Sequence, residues 1–325
     1  MQTCHRRPTL RTLAAALAAA PLLALAAYPD HAITLVVPFV PGGGTDSIAR
    51  DMAKNLSDKL GQPVVVDNRG GGGGSIGANY VAKAKNDGYT LLFATSTFAT
   101  NAAAEPNLPY DPAKDFAPVG MIGRGPLLVI ASKQLGVKSV KELIAAGKAK
   151  GAEGLNYCSA GVGSINHMSG ELFHQKAGFP MTHVAYKGSG PATLDLIAGR
   201  VDVFFSTVPT ILSFVKDDKV TALAVTSDKR SPLFPDLPTL AEEGVPGFNI
   251  STWWGVLAPR GTAPAIIEKL NKAVNDAAAE EPVKGRLVSE GATALRMTPA
   301  GFGTELNKEL ALWRGVVKNS NMQIK

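Results

Sequence analysis

Two hydrophobic periods succeed each other along this chain, one of strands and one of helices. A β-rich run at 33–37 ends at Pro38. Ile48, Met52, Leu56 and Leu60 then recur at i, i+4 spacing up to Gly61, which predicts a strand followed by a helix. Runs at 63–67 and 89–94 enclose a helical pattern at 76–85. A second series opens with a strand at 127–131. Ser139-Val-Lys-Glu142 predicts a capping box for a helix to about residue 150, because Ser and Glu can satisfy each other's orphan N–H groups. Strands at 154–157, 183–185, 201–205 and 220–225 follow, with helices at 165–177 (stopped by Gly178) and 191–198. Such alternation predicts an α/β fold of two lobes, each a mostly parallel sheet flanked by helices.

The last third is less regular. Pro232, Pro235, Pro238, Pro246 and Pro259 punctuate a stretch that reads as loop and contains Trp253-Trp254, expected as a core or interface pair. Two amphipathic helices finish the chain, one from near Thr262 and one from Thr298-Pro299, where Thr as N-cap with Pro just inside is a start signal.

Composition changes this picture only at the N-terminus. A basic start, an apolar stretch at 13–27 and Ala24-Leu25-Ala26 together predict a cleaved export signal over 1–26. Arg6-Arg7 lacks the Ser/Thr and aromatic neighbours of a twin-arginine signal, so the general secretory route is expected. The signal's three arginines supply half of the +6 formal charge, and the rest shows no Lys/Arg cluster, so no nucleic-acid partner is expected. With 45% apolar and 18% charged residues the chain is globular, and past the signal no apolar run approaches the ~20 residues of a membrane span. Cys158 has no cysteine to pair with after cleavage and is expected as a buried thiol.

Candidate chemistry lies in two Gly-containing turns. Phe39-Val-Pro-Gly-Gly-Gly-Thr-Asp46 stands between a strand and a helix, and Tyr157-Cys-Ser-Ala-Gly-Val-Gly-Ser-Ile-Asn-His167 repeats the arrangement in the second series. First-turn N–H groups are free donors at a helix's positive end, so facing turns of this kind would suit an anion. Four charge-assisted bonds at ~1.5–3 kcal/mol each reach micromolar affinity only if little ordering entropy is lost, which favours a carboxylate between preformed loops. Gly72-x-Gly74-x-x-Gly77 fits a dinucleotide fingerprint, but four residues separate it from the strand and the next strand lacks the ribose-binding acid. There is no phosphate loop or zinc-protease motif, and no cofactor is expected. A Cys158–His167 dyad would lack an orienting group, and His167 and His174 are spaced unlike a metal pair. His167 is expected to face the cleft.

Further motifs appear in order: Pro38-Phe-Val-Pro-Gly-Gly-Gly-Thr-Asp46, Gly61-Gln-Pro-Val-Val-Val-Asp-Asn68, Asp87-Gly-Tyr-Thr-Leu-Leu92, Leu108-Pro-Tyr-Asp-Pro112, Ala185-Tyr-Lys-Gly188, Ala222-Leu-Ala-Val-Thr226 and Trp254-Gly-Val-Leu-Ala-Pro259. From about Tyr28 onward the chain resembles the periplasmic solute receptors of the tripartite tricarboxylate transporter family, the Bug receptors. The resemblance implies a type II periplasmic-binding-protein fold closing on a small carboxylate. By motif, ligand contacts carry over to Phe39, Gly43, Gly44 and Thr45, to Ser159, Ala160, Gly163, Ser164 and His167, and to the cleft-lining segment Thr95, Ser96, Thr97. Phe98 and Ser206-Thr207 depart from the family pattern where the far end of a ligand is read, with Ser206 kept as a contact.

The expected organisation is residues 27–105 and 226–325 as lobe I and 106–225 as lobe II, with the lobe of the C-terminal helices open. The expected function is a periplasmic, monomeric, non-catalytic receptor for a mono- or dicarboxylate, serving a two-component membrane permease of the tripartite type or a sensor. A periplasmic hydrolase or NAD-dependent oxidoreductase with a non-standard site is the alternative.

Overall fold

The computed structural model describes residues 28–42 and 44–320; the expected export signal and Gly43 lie outside them. The chain runs β1 (Ile33–Val37), α1 (Gly44–Leu60), β2 (Val64–Asn68), α2 (Ser75–Ala82), β3 (Thr90–Thr95), α3 (Ser96–Ala104) and β4 (Phe116–Ser132). It continues α4 (Val140–Ala149), β5 (Leu155–Ser159), α5 (Ile165–Ala177), β6 (Met181–Ala185), α6 (Ser189–Ile197), β7 (Val203–Thr207), α7 (Val208–Lys216) and β8 (Val220–Val225). Last come β9 (Ser251–Pro259), α8 (Pro264–Ala279), α9 (Val283–Ser289), β10 (Thr293–Ala294) and α10 (Pro299–Asn319).

Each lobe holds three parallel strands, β2-β1-β3 in one and β6-β5-β7 in the other. Antiparallel strands complete both sheets. β9 pairs with β3, and β4 pairs first with β9 and then with β7 and β8, so one long strand serves both lobes. Sequence reasoning recovers only its second half. Pro118, Gly120, Gly123 and Gly125 interrupt the first half, and the ladder absorbs them by shifting register at Pro118/Gly120 and Met121/Gly123. Methyl groups on Gly123 and Gly125 would come within 2.7 Å of Thr293 O and 2.8 Å of Gly291 O, so closely does the segment around β10 pass.

The stretch read as loop around Trp253-Trp254 is the central strand β9. It is buried on both faces, so it shows no alternation to distinguish it. Trp253 packs edge-on against Phe302 of α10 (5.4 Å, 81°) and donates its indole N–H to Glu309 Oε2 at 2.7 Å. Where the sheets meet, Thr226 is fully buried and ties three segments. Its Oγ1 accepts from Leu127 N (2.9 Å) and donates to Ile250 O (2.7 Å), while its backbone pairs with both residues. α10 packs on α3 and β4 and also reaches α5, where Gln175 Nε2 donates to Val316 O. Among the described residues no helix is long and apolar enough to cross a membrane.

Candidate functional site

Local capping fixes the two turns. α5 begins at Ser164, whose Oγ accepts from His167 N (3.3 Å) and donates to Gly161 O (2.7 Å); Gly178 at φ 69° ends the helix. At α1, Asp46 is buried, and its carboxylate accepts from Gly42 N (3.0 Å), Arg50 Nε (3.0 Å) and Asn68 Nδ2 (2.8 Å). Burial alone would raise its pKa, but these bonds hold it below the usual carboxylate value. Asn68 also donates to Phe39 O, so the Gly turn is braced from the neighbouring strand. α3 starts at the end of β3, with Thr95 Oγ1 accepting from Thr97 N.

These three helix starts face one cavity of about 490 Å³ between the lobes. Phe39, Gly44, Thr45, Thr95, Ser96 and Thr97 line it from the first lobe, and Ala160, Gly163 and Ser164 from the second. The first two N–H groups of α1 and of α5 have no intrahelical carbonyl to bond and can serve an acceptor in the cavity, whereas the third of α5, His167 N, is taken by Ser164 Oγ. Gly163 lines the wall but spends its N–H on His167 Nδ1 (3.2 Å). Gly161 likewise donates to Ser159 Oγ (3.0 Å).

Three expected contact residues do not line the cavity. Ser159, fully buried, sits 2.6 Å from His183 Nε2 beneath the turn. His167 is buried at the third helical position after the cap, and its ring stacks on His183 (centroids 3.8 Å, 18°). Burial lowers its pKa to about 3 and that of His183 to about 4, and His183 adds to the effect at His167. The neutral ring is what accepting from Gly163 N requires. Ser206 is buried and donates to Thr207 O; strand alternation sends Thr207, one residue on, to the cavity instead.

The cavity also has walls that sequence reasoning missed. Thr252 and Trp254 are i, i+2 on one face of β9, and Thr252 Oγ1 lies 3.3 Å from Ser96 Oγ. Asn101 comes from α3 and donates to Gly72 O, and Gly73 of the glycine run is itself on the wall. Asn166, Thr207, Thr210 and Glu290 complete the polar lining. Trp254 could have been suspected from its pairing with Trp253; nothing local marks Glu290. Cys158 is sealed, its thiol 3.7 Å from Ala192 O and pushed up to about 12 by burial. Among the described residues no group of three or more His, Cys, Asp or Glu could hold a metal ion.

A sequence model described as "Tripartite tricarboxylate transporter family receptor" matches residues 48–321. The chain belongs to this family. It is therefore a member of a group of periplasmic solute-binding receptors. It is 40% identical over 300 residues to protein BugT of Bordetella pertussis, covering 92% of each chain. Among solved structures it is similar to R. palustris Rpa4515 with adipate (40% identity, TM-score 0.78, 90% of this chain and 97% of that one). It is also similar to MatC from Rhodopseudomonas palustris with bound malate (35% identity, TM-score 0.76, 89% of this chain and all of the other). The fold is thus the two-lobed periplasmic-binding-protein fold.

Proposed function

We propose that this receptor captures a small organic carboxylate in the inter-lobe cavity, binds it without chemistry, and delivers it to a two-component membrane permease or a sensor. One observation carries the reading: the first two residues of α1 and of α5, Gly44, Thr45, Ile165 and Asn166, line one cavity together with Thr95, Ser96, Thr97 and Ser164. In this reading Phe39, Gly44, Thr45, Ala160 and Gly163 shape the contact surface. Ser159, His167 and Ser206 support it from behind. The adipate and malate of the two neighbours are ligands of matching chemistry.

The export signal at 1–26, the general secretory route and a monomeric receptor belong to the same proposal. The lobes divide within β4, because 116–126 pair with β9 and 127–131 with β7. Residues 106–126 therefore go with the first lobe, as do α8 and α9, and the crossover at Thr226 is the hinge. Carboxylate probes should raise the melting temperature, by about 2.7 kcal/mol equivalent at a hundredfold excess over Kd, and should shrink the radius of gyration seen by small-angle scattering. Neutral sugars should do neither. A response to sugars alone, with none to carboxylates, would refute the carboxylate reading.

A further inference from the structure

Glu290 is the only ionisable residue on the cavity wall among the described residues, and it is an acid in a chamber otherwise read as an anion site. No lysine, arginine or histidine lines the chamber to offset it. Its position is fixed by the backbone. Glu290 follows α9 as its C-cap, with its N–H donated to Arg286 O (3.1 Å) and Leu287 O (3.0 Å). Gly291 then turns at φ 70°, where a methyl group would come within 2.6 Å of Val208 in the opposite lobe. The carboxylate reaches the start of α1: a methyl on Gly44 would lie 2.6 Å from Glu290 Oε1.

Only the positive start of α1, which the carboxylate reaches, offsets this placement. An acid at a helix C-terminus faces the wrong end of the dipole. The nearest guanidinium, Arg286, directs its Nε to Asp51 Oδ2 at 2.9 Å. The carboxylate makes no hydrogen bond or ion pair among the described residues, and burial raises its pKa. As the only ionisable wall residue among the described ones, Glu290 can accept from a hydrogen-bond donor on the ligand.

We infer that Glu290 determines specificity: the ligand presents its carboxylate to the α5 side of the cavity and a hydrogen-bond donor, not a second carboxylate, to Glu290. This rests on the proposed carboxylate reading and narrows it to monocarboxylates whose other end is an ammonium, amide or hydroxyl. A second carboxylate about 6 Å from an ionised Glu290 would weaken binding roughly a hundredfold at an effective dielectric near 20.

Three probes of equal chain length test this by titration calorimetry: adipate, adipamate and 6-aminohexanoate. The wild type should bind adipamate and 6-aminohexanoate at least tenfold tighter than adipate. In Glu290→Gln, adipate should gain and 6-aminohexanoate lose at least tenfold each. Glu290→Ala should shift the preference the same way, and melts of the ligand-free proteins check folding. Adipate preferred by the wild type, or a preference unchanged in both folded variants, would overturn the role of Glu290 while leaving carboxylate binding intact. If none of the probes binds either protein, the carboxylate reading falls and this inference with it.

Discussion

Ser164 does three things at once, and substituting it by Asp separates them. Its hydroxyl caps α5 by accepting from His167 N, fastens the turn by donating to Gly161 O at 2.7 Å, and faces the cavity. Asp is as good an N-cap as Ser and is favoured by the helix's positive end by about 0.3–1 kcal/mol. It cannot donate to Gly161 O, which forfeits about 1 kcal/mol and sets a carboxylate against a carbonyl. Ser164→Asp should therefore fold, with ligand-free stability within about 2 kcal/mol of the wild type. A fixed carboxylate about 5 Å from the ligand's own opposes it by about 3 kcal/mol at an effective dielectric near 20. At ~1.4 kcal/mol per decade that is more than a hundredfold in Kd. Ser164→Ala is the control: it loses the cap, about 1 kcal/mol, without adding charge, and should cost affinity tenfold at most. Calorimetry with adipate, malate and adipamate beside ligand-free melts measures both quantities. A folded Asp variant that keeps affinity within tenfold of the wild type would show that α5 presents no anion site.

Two pH effects of opposite sign are built into the fold. Burial raises Glu309 to about 7 against ordinary 4.5, so between those values the native state holds a proton that the unfolded chain has lost; stability from this group is full below pH 4.5 and falls by up to about 3 kcal/mol as pH rises through 7. Glu309→Gln keeps an acceptor for Trp253 Nε1 and should remove that decline in thermal melts; an unchanged profile would place the titration elsewhere. His183 runs the other way. Its pKa is lowered from 6.5 to about 4, so between these values the unfolded chain binds the extra proton, and stability should drop by about 3 kcal/mol as pH falls from 6.5 to 4. His167, lowered to about 3, adds its own loss over the same range, so His183→Asn should make the acid limb shallower without abolishing it, and a limb as steep as the wild type's would refute the assignment.

Elements whose signals lie within a few residues were legible in the sequence. α5 carries its cap at Ser164 and its stop at Gly178, and both structure and pattern give 165–177. The Ser139 cap was legible in part: Ser139 Oγ accepts from Glu142 N as a capping box requires, but Glu142 Oε2 reaches the N–H of Lys138 instead of returning to Ser139. The Thr-Pro signal holds at α10, where Thr298 Oγ1 accepts from Gly301 N, and α8 starts close to Thr262 as expected, although Thr262 hydrogen-bonds back to Pro259 O and Ala263 is the cap. β9 and the first half of β4 were illegible for a different reason. Their stability comes from neighbours far along the chain, and buried central strands carry neither alternation nor turn-free flanks.

The site divides along the same line. Residues at the tips of βα turns, such as Thr45, Thr97 and Ser164, are placed by geometry that the chain specifies locally, and they line the cavity. Side chains one step away do not, because position within a strand or helix turn decides direction: Ser206 points inward where Thr207 points out, and His167 stacks on His183. The glycine run shows the converse. Judged against a dinucleotide fingerprint it had no role, yet Gly71, Gly72, Gly73 and Gly74 all take positive φ, and the bend brings Gly73 to the wall beside Asn101. Glu290 is the extreme case, since Gly44, which its carboxylate approaches, is remote in sequence and the docking of α9 against α1 brings them together. What the turns specify is the part of the site proposed to accept an anion. The part inferred to tell one ligand from another is assembled by tertiary contacts, and so the family was readable from motifs while the acid on the chamber wall was not.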